Sequence, residues 1–248
     1  MLIRLMSYNI RFGGVGREKP IASVIRAHGP DLVVLQEATN PRVVETIAAE
    51  AGMKFFAARA GHSLAFVSRV EIAGHEWHHP KHLERAFLEI SPAGTRTRIF
   101  GVHLRAVHSN WTERRRVREL RTLLHAINAD RGSFHVLTGD FNTLAPGERL
   151  DMRRLPRRLR LLAFVLGGRV RFRTIQIMLD EGYADGYRLL HSAAGYTFPT
   201  WDPHVRLDYF FVPKDSADCV QTCEVVCEGA NLREASDHFP LTAEIELP

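Results

Sequence analysis

Short unbroken apolar runs alternate along this chain with stretches in which apolar residues return every three or four positions. The runs predict strands and the stretches predict helices. Leu2–Tyr8 predicts a strand ending at Asn9. Leu32–Leu35 is apolar throughout, as in a strand buried on both faces, and ends at Gln36-Glu37. Leu64–Ser68, Ala86–Ile90 and Arg96–His103 predict further strands. Phe134–Thr138 predicts another buried one, running into Gly139-Asp140-Phe141-Asn142, and Leu207–Val212, Cys219–Cys227 and Leu241–Leu247 predict the last three.

Helical spacing marks Pro20–Ala27, closed by Gly29-Pro30, and Pro41–Ala51, stopped by Gly52. Across 110–130, Val117, Leu120, Leu124 and Ile127 form one apolar stripe, and Asn110-x-x-Glu113 resembles a capping box. Thr174–Glu181 predicts a short helix. Strands come singly and in pairs with helices between, so the class is mixed α/β rather than a strict βαβ repeat. There is no internal repeat or low-complexity linker, which predicts one domain over 1–248 with a local insert at about 151–173.

Composition adds limits. Of 248 residues, 45% are apolar and 25% charged, which is ordinary globular usage. No apolar run approaches the ~20 residues of a membrane span. Met1-Leu2-Ile3-Arg4 does not read as a secretory signal, and Cys219, Cys223 and Cys227 read as free thiols, so a cytoplasmic protein is expected. The net charge of +5 is unevenly placed: residues 151–173 hold eight arginines and one acid. Such an insert suits an anionic partner. Three readings stand: an amphipathic element on an anionic membrane, a basic flap on a nucleic-acid backbone, or a helix packing Leu155, Leu159, Leu162 and Leu166 on the domain. No obligate protein partner is evident.

Polar residues cluster where the apolar runs end: Asn9, Glu37, His103, Asp140, Asn142, Asp208, Asp237 and His238. Strand ends at one rim of a sheet are where open α/β proteins build sites. Acids and amides with two histidines and no thiol favour Mg²⁺ or Mn²⁺, one or two ions, over zinc. A hard cation beside acids and imidazole suggests chemistry at a phosphoryl oxygen.

Taken in order, Ser7-Tyr8-Asn9-Ile10-Arg11, Leu35-Gln36-Glu37, Gly101-Val102-His103-Leu104, Gly139-Asp140-Phe141-Asn142, Arg206-Leu207-Asp208-Tyr209 and Ser236-Asp237-His238-Phe239-Pro240-Leu241 resemble the endonuclease/exonuclease/phosphatase superfamily, the deoxyribonuclease I-like group. The resemblance implies a four-layer α/β sandwich, two mixed sheets face to face with helices outside. It implies Glu37 as principal metal ligand, supported by Asn9 and Asp237. Asp140 would orient and deprotonate the attacking water, and Asn142 would hold that water or a phosphate oxygen. His238 would contact the scissile phosphate with Asp208 fixing its tautomer, and His103 would be a second imidazole there. Where abasic-site endonucleases of this group place tyrosine, this chain has His103, which resembles the deoxyribonuclease I-like and sphingomyelinase-like branches.

The expected activity is therefore metal-dependent hydrolysis of phosphodiesters, with nucleic acid as leading substrate. A phospholipid or small phosphoester at a membrane surface is the alternative, and a binding module without chemistry the rival. Arg85 and Arg206 adjoin family-like strands and are candidate substrate cations, and Trp201 or Phe198 could stack on a base. His75, His78, His79 and His82 are expected in a loop between strands, and Arg114, Arg115, Arg118 and Arg121 on a solvated helix face.

Overall fold

The computed structural model describes residues 1–80, 85–106, 110–128, 134–148, 151, 153–154 and 172–247. Residues 152 and 155–171 of the expected insert, and His82, lie outside this set, and the three readings of the insert fall there. Among the described residues, Arg153 pairs with Asp151 and Arg154 with Asp202 at the surface.

Twelve strands are described: β1 (Leu2–Asn9), β2 (Leu32–Gln36), β3 (Phe55–Ala57), β4 (Leu64–Ser68), β5 (Ile72–His78), β6 (Phe87–Pro92), β7 (Arg98–His103), β8 (His135–Asp140), β9 (Tyr183–Asp185), β10 (Asp208–Pro213), β11 (Val220–Val225) and β12 (Leu241–Glu246). The described helices are α1 (Glu18–His28), α2 (Pro41–Ala51), α3 (Asn110–Asn128), α4 (Thr174–Asp180), α5 (Gly186–Leu190) and α6 (Leu232–Ala235). The strands form two six-stranded sheets, ordered β11-β12-β1-β2-β4-β3 and β5-β6-β7-β8-β10-β9. Each sheet has one parallel pair near its middle, β1 with β2 and β7 with β8.

The sheets pack face to face. Ile3, Leu5, Leu32, Val34 and Phe66 of the first meet Leu88, Ile90, Ile99, Val136 and Phe210 of the second in one core. The alternate residues point outward. Met6, Tyr8, Val33 and Leu35 pack against α1 and α2. Phe100, Val102, Leu137 and Phe211 pack against α3 and α4. A strand covered on both faces cannot show polar alternation, which is why β2 reads as a continuous apolar run. Each such buried side chain contributes about 1.5–3 kcal/mol. The result is the expected four-layer sandwich.

Some local expectations are corrected. His75 and His78 lie on β5, not in a loop; this half-exposed edge strand pairs only with β6, so little apolar patterning was demanded of it. The short β3, β9, α5 and α6 carried too little periodicity to be read. The three cysteines do not share one strand. Cys223 is buried on β11, Cys219 precedes that strand and Cys227 follows it, exposed.

Glu113, expected in a local capping box, makes contacts far along the chain. Its Oε1 accepts from the backbone N–H groups of Arg173 (2.7 Å) and Thr174 (2.8 Å) and from the Thr174 hydroxyl, at the start of α4. Its Oε2 accepts from Arg116, whose side chain is fully buried, and from Thr143. One carboxylate thus caps a helix distant in sequence and joins it to α3. Burial pushes the Glu113 pKa up, but Arg116 and these hydrogen bonds outweigh it and hold it below its ordinary 4.5.

Two predictions follow from these contacts. Glu113→Ala leaves Arg116 buried without its carboxylate and should cost about 3–5 kcal/mol in urea unfolding. A depressed folded-state pKa contributes stability above the unfolded value and loses it as pH falls through the folded one. The gap between wild type and variant should therefore be full above pH 4.5 and shrink below it. At Gly139, φ is 149° and a Cβ would lie 1.9 Å from the Val102 carbonyl oxygen. Gly139→Ala must push β8 off β7, and loss of folded protein or a large drop in Tm is expected.

Candidate active site

The inner-face residues of the sandwich change from apolar to polar at one end. In β1, Ile3, Leu5 and Asn9 share a face; in β7, Ile99 and His103 do. In β8, Val136 and Asp140 share a face; in β10, Phe210 and Asp208 do. The register pairs Asp140 with His103 on one side and with Asp208 on the other. Asn9 pairs with Gln36, which places Glu37 immediately past β2. β12 begins opposite Ser7, which brings the 236–240 segment beside Asn9, and the Ser236 hydroxyl donates to the Asn9 carbonyl at 2.6 Å.

The side chains then meet. Asn9 Nδ2 donates to Asp140 Oδ2 at 3.0 Å and approaches Glu37 Oε1 at 3.4 Å. Asp140 Oδ1 accepts the backbone N–H of Asn142 at 2.8 Å, and Asn142 Nδ2 donates to the Leu104 carbonyl. His238 Nδ1 lies 2.9 Å from Asp208 Oδ2, and its Nε2 lies 4.0 Å from Asp140 Oδ2. His103 Nε2 is 3.8 Å from the same Asp140 oxygen. Asp237 sits at the rim, with Arg11 Nε 3.3 Å away. Glu37 is half-buried; its Oε2 accepts the Phe12 N–H at 2.6 Å, and no basic side chain of the described residues pairs with it.

Electrostatics separate these groups. Burial raises the Asp140 pKa to about 7; His238 opposes that, Asp208 adds to it, and the Asn142 and Asn9 hydrogen bonds oppose it. For His238, burial acts downward but Asp208 overrides it, helped by Asp140 and Asp237, and the pKa rises to about 9. His103 goes the other way. Burial, then the Arg85 and His238 charges, lowers it well below 6.5, so its ring is neutral at pH 7. Two imidazoles flanking one carboxylate thus differ in charge because only one has an acid of its own.

Asp140, Asp208 and His238 offer ligand atoms within 4.8 Å of one another, a cluster that could hold a metal. The Glu37 side offers carboxylate oxygens that suit a hard cation, and Glu37 carries no compensating side-chain cation among the described residues; the Asn9 amide turns its Nδ2 toward Glu37 and its Oδ1 toward the Arg11 N–H.

Of the expected site residues, the structure brings Asn9, Glu37, His103, Asp140, Asn142, Asp208, Asp237 and His238 together. Arg85 lies beside them, donating to the Leu104 carbonyl at 3.0 Å. Trp201 is exposed at the mouth and reaches the site through Phe198, whose ring centroid is 4.8 Å from that of His238. Arg206 is a correction. Its side chain is fully buried, paired with Glu148 at 3.0 Å and Asp185 at 2.7 Å, and lies over the Tyr209 ring, so it braces the second sheet rather than meeting a substrate. Sequence reasoning missed Ser236 and Phe12 as partners of Asn9 and Glu37. Ser236 stood within a recognised motif, but its hydrogen bond spans 227 positions.

The geometry predicts an NMR result. In metal-free protein the His238 imidazole should titrate near pH 9. In Asp208→Asn, which removes the largest opposing charge and leaves only Asp140 and Asp237 against burial, it should titrate at lower pH. An unchanged titration would remove Asp208 as the cause.

The model of the Endonuclease/Exonuclease/phosphatase family matches residues 6–238. Among solved structures, the AP endonuclease from Archaeoglobus fulgidus superposes with TM-score 0.75 at 18% identity, covering 99% of this chain and 100% of that one. The 3′ phosphatase NExo from Neisseria, bound to product DNA hairpin, superposes with TM-score 0.70 at 19% identity, covering 98% and 99%. TDP2 from D. rerio, complexed with single-strand DNA product, gives TM-score 0.67 at 17% identity, covering 99% of each. No curated protein matches the sequence. These structural likenesses share the fold. Among the described residues, no helix is long and apolar enough to cross a membrane.

Proposed function

The chain belongs to the Endonuclease/Exonuclease/phosphatase family, and on that footing we propose that it is a divalent-metal-dependent phosphodiesterase whose substrate is nucleic acid. The observation that carries this reading is one continuous line of polar contacts, Glu37–Asn9–Asp140–His238–Asp208, buried at the end of the sandwich except for Glu37. It holds a base, an imidazolium and an acidic cation seat side by side, which a phosphodiester requires. The DNA-bound relatives support nucleic acid over lipid.

Each residue has a task that its surroundings explain. His238, held protonated by Asp208, donates from Nε2 to a phosphoryl oxygen and offsets charge as it develops. Asp140 orients a water molecule and takes its proton as the water oxygen bonds to phosphorus. The ester P–O bond opposite breaks, and its electron pair leaves on the ester oxygen, which is then protonated by solvent. Asn9 and the Asn142 amide hold the Asp140 carboxylate in place. Neutral His103 can donate a hydrogen bond near the phosphate without adding charge. A divalent cation, held by Glu37 with Asn9 and Asp237, would neutralise phosphoryl charge when bound.

The test is hydrolysis of supercoiled plasmid, single-stranded DNA, bis-p-nitrophenyl phosphate, p-nitrophenyl phosphate and anionic phospholipid vesicles. Each is run with Mg²⁺, with Mn²⁺ and with excess chelator. DNA cleavage that chelator abolishes is expected. Asp140→Asn and His238→Ala should each reduce it ~10²-fold or more with Tm preserved. Full turnover in Asp140→Asn would overturn its role as base. Turnover on vesicles but not DNA would overturn the substrate class, and activity on the monoester alone would overturn the diester assignment.

A further inference from the structure

The loop that follows β1 holds an aromatic ring in a place the fold does not need. Phe12 is 78% exposed although it lies three residues past buried Asn9. Arg11 and Phe12 both have left-handed backbone, φ 51° and 47°, followed by Gly13 and Gly14 at 75° and 69°. Two consecutive non-glycine residues in this region cost of order 1–3 kcal/mol each and persist only when neighbours impose them. The neighbours are the site itself. The Arg11 N–H donates to Asn9 Oδ1 at 2.9 Å, and the Phe12 N–H donates to Glu37 Oε2 at 2.6 Å. The Gly14 N–H donates to the Arg11 carbonyl at 3.0 Å, and the Arg17 guanidinium donates to that same carbonyl.

The backbone that carries the ring is thus tied to Asn9 and Glu37. The Arg11 guanidinium lies 5.2 Å from the Phe12 ring centroid and also reaches Asp237, so a cation stands between ring and site. At the other end of the line of site contacts stands a second exposed aromatic, Trp201, linked through Phe198 to His238. A phosphate seated on that line of contacts would have an outward aromatic side chain toward each end, Phe12 beside Glu37 and Trp201 beyond His238. Every nucleobase has a flat face that such a ring can cover, and bases reach it only when unpaired, because a duplex keeps them stacked inside.

Resting on the nucleic-acid reading above, we propose that Phe12 is a stacking platform for an unpaired nucleobase next to the scissile phosphate, so that the substrate is taken as a single strand or a frayed end. A membrane surface suits the loop less well. Lipid acyl chains present no flat π-face for the ring to cover.

The experiment compares wild type, Phe12→Ala and Phe12→Trp on a single-stranded oligonucleotide and on the same sequence as a blunt duplex. A third substrate is the base-free diester methyl p-nitrophenyl phosphate. Binding of a fluorescently labelled strand is followed separately by anisotropy in chelator. Phe12→Ala should raise KM and Kd for the single strand about tenfold, with kcat within about twofold. Phe12→Trp should restore both. The duplex and the base-free diester should be nearly indifferent to all three side chains. Equal losses on the base-free diester would show that Phe12 merely props Glu37, and an unchanged KM would show no stacking; either overturns the proposal. So would a parallel loss of binding to anionic vesicles in Phe12→Ala and Val15→Ala, which would make the loop an apolar anchor. If no substrate turns over, the catalytic reading fails by itself, while the chelator binding data still decide whether Phe12 holds a base.

Discussion

Face-to-face packing of two sheets is the constraint on which everything else depends. A strand offers alternate side chains to its two faces, so the residues facing the opposite sheet occur at every second position. Along most of β1, β7, β8 and β10 these are Ile, Leu, Val and Phe, and they close the core. At one end the same inward positions become Asn9, His103, Asp140 and Asp208. The site is thus a continuation of the core, built on the same alternation and shielded by the same layers. Two central parallel pairs make this workable, because they bring several strand ends to one rim.

Burying acids and imidazoles is costly unless each finds a partner. The partners here are assigned unequally. Asp208 serves His238, so that imidazole stays charged. His103 has no such acid and stays neutral. Asp140 receives amide donors from Asn9 and Asn142, yet burial still pushes its pKa upward. The same accounting explains two buried arginines outside the site. Arg116 and Arg206 are tolerated because Glu113, and Glu148 with Asp185, neutralise them while tying helices and loops to the second sheet.

The loop after β1 shows how the site shapes its own border. Asn9 and Glu37 spend acceptor capacity on the amides of Arg11 and Phe12 and hold them in left-handed backbone. Changes at either residue would therefore alter both the acidic cluster and the backbone that carries an exposed ring. The Trp201 flank is held differently, through the Thr200 hydroxyl on the Ser236 carbonyl and the Phe198 ring against His238.

Much of this was legible along the chain. An unbroken apolar run announced β2, because a strand covered on both faces has no freedom to be polar, and mostly apolar runs announced β1 and β8. The helical stripe of α3 and the stop at Gly52 were equally local. So were the residue types at the strand ends, whose chemistry needs no fold to be recognised. What only the tertiary structure decided was partnership. β5 is a strand because β6 pairs with it, not because His75 or His78 prefers one. Glu113 caps α4 across sixty positions. Arg206, adjacent to the site in sequence, turns away to Glu148 and Asp185, while Phe12, outwardly a loop residue, is bound to Glu37. Hydrophobic periodicity is written into neighbouring residues, so one chain read alone can show it. A hydrogen bond, an ion pair or a strained turn depends on which distant groups the packed layers bring within 3 Å, and that is set only when the sheets close.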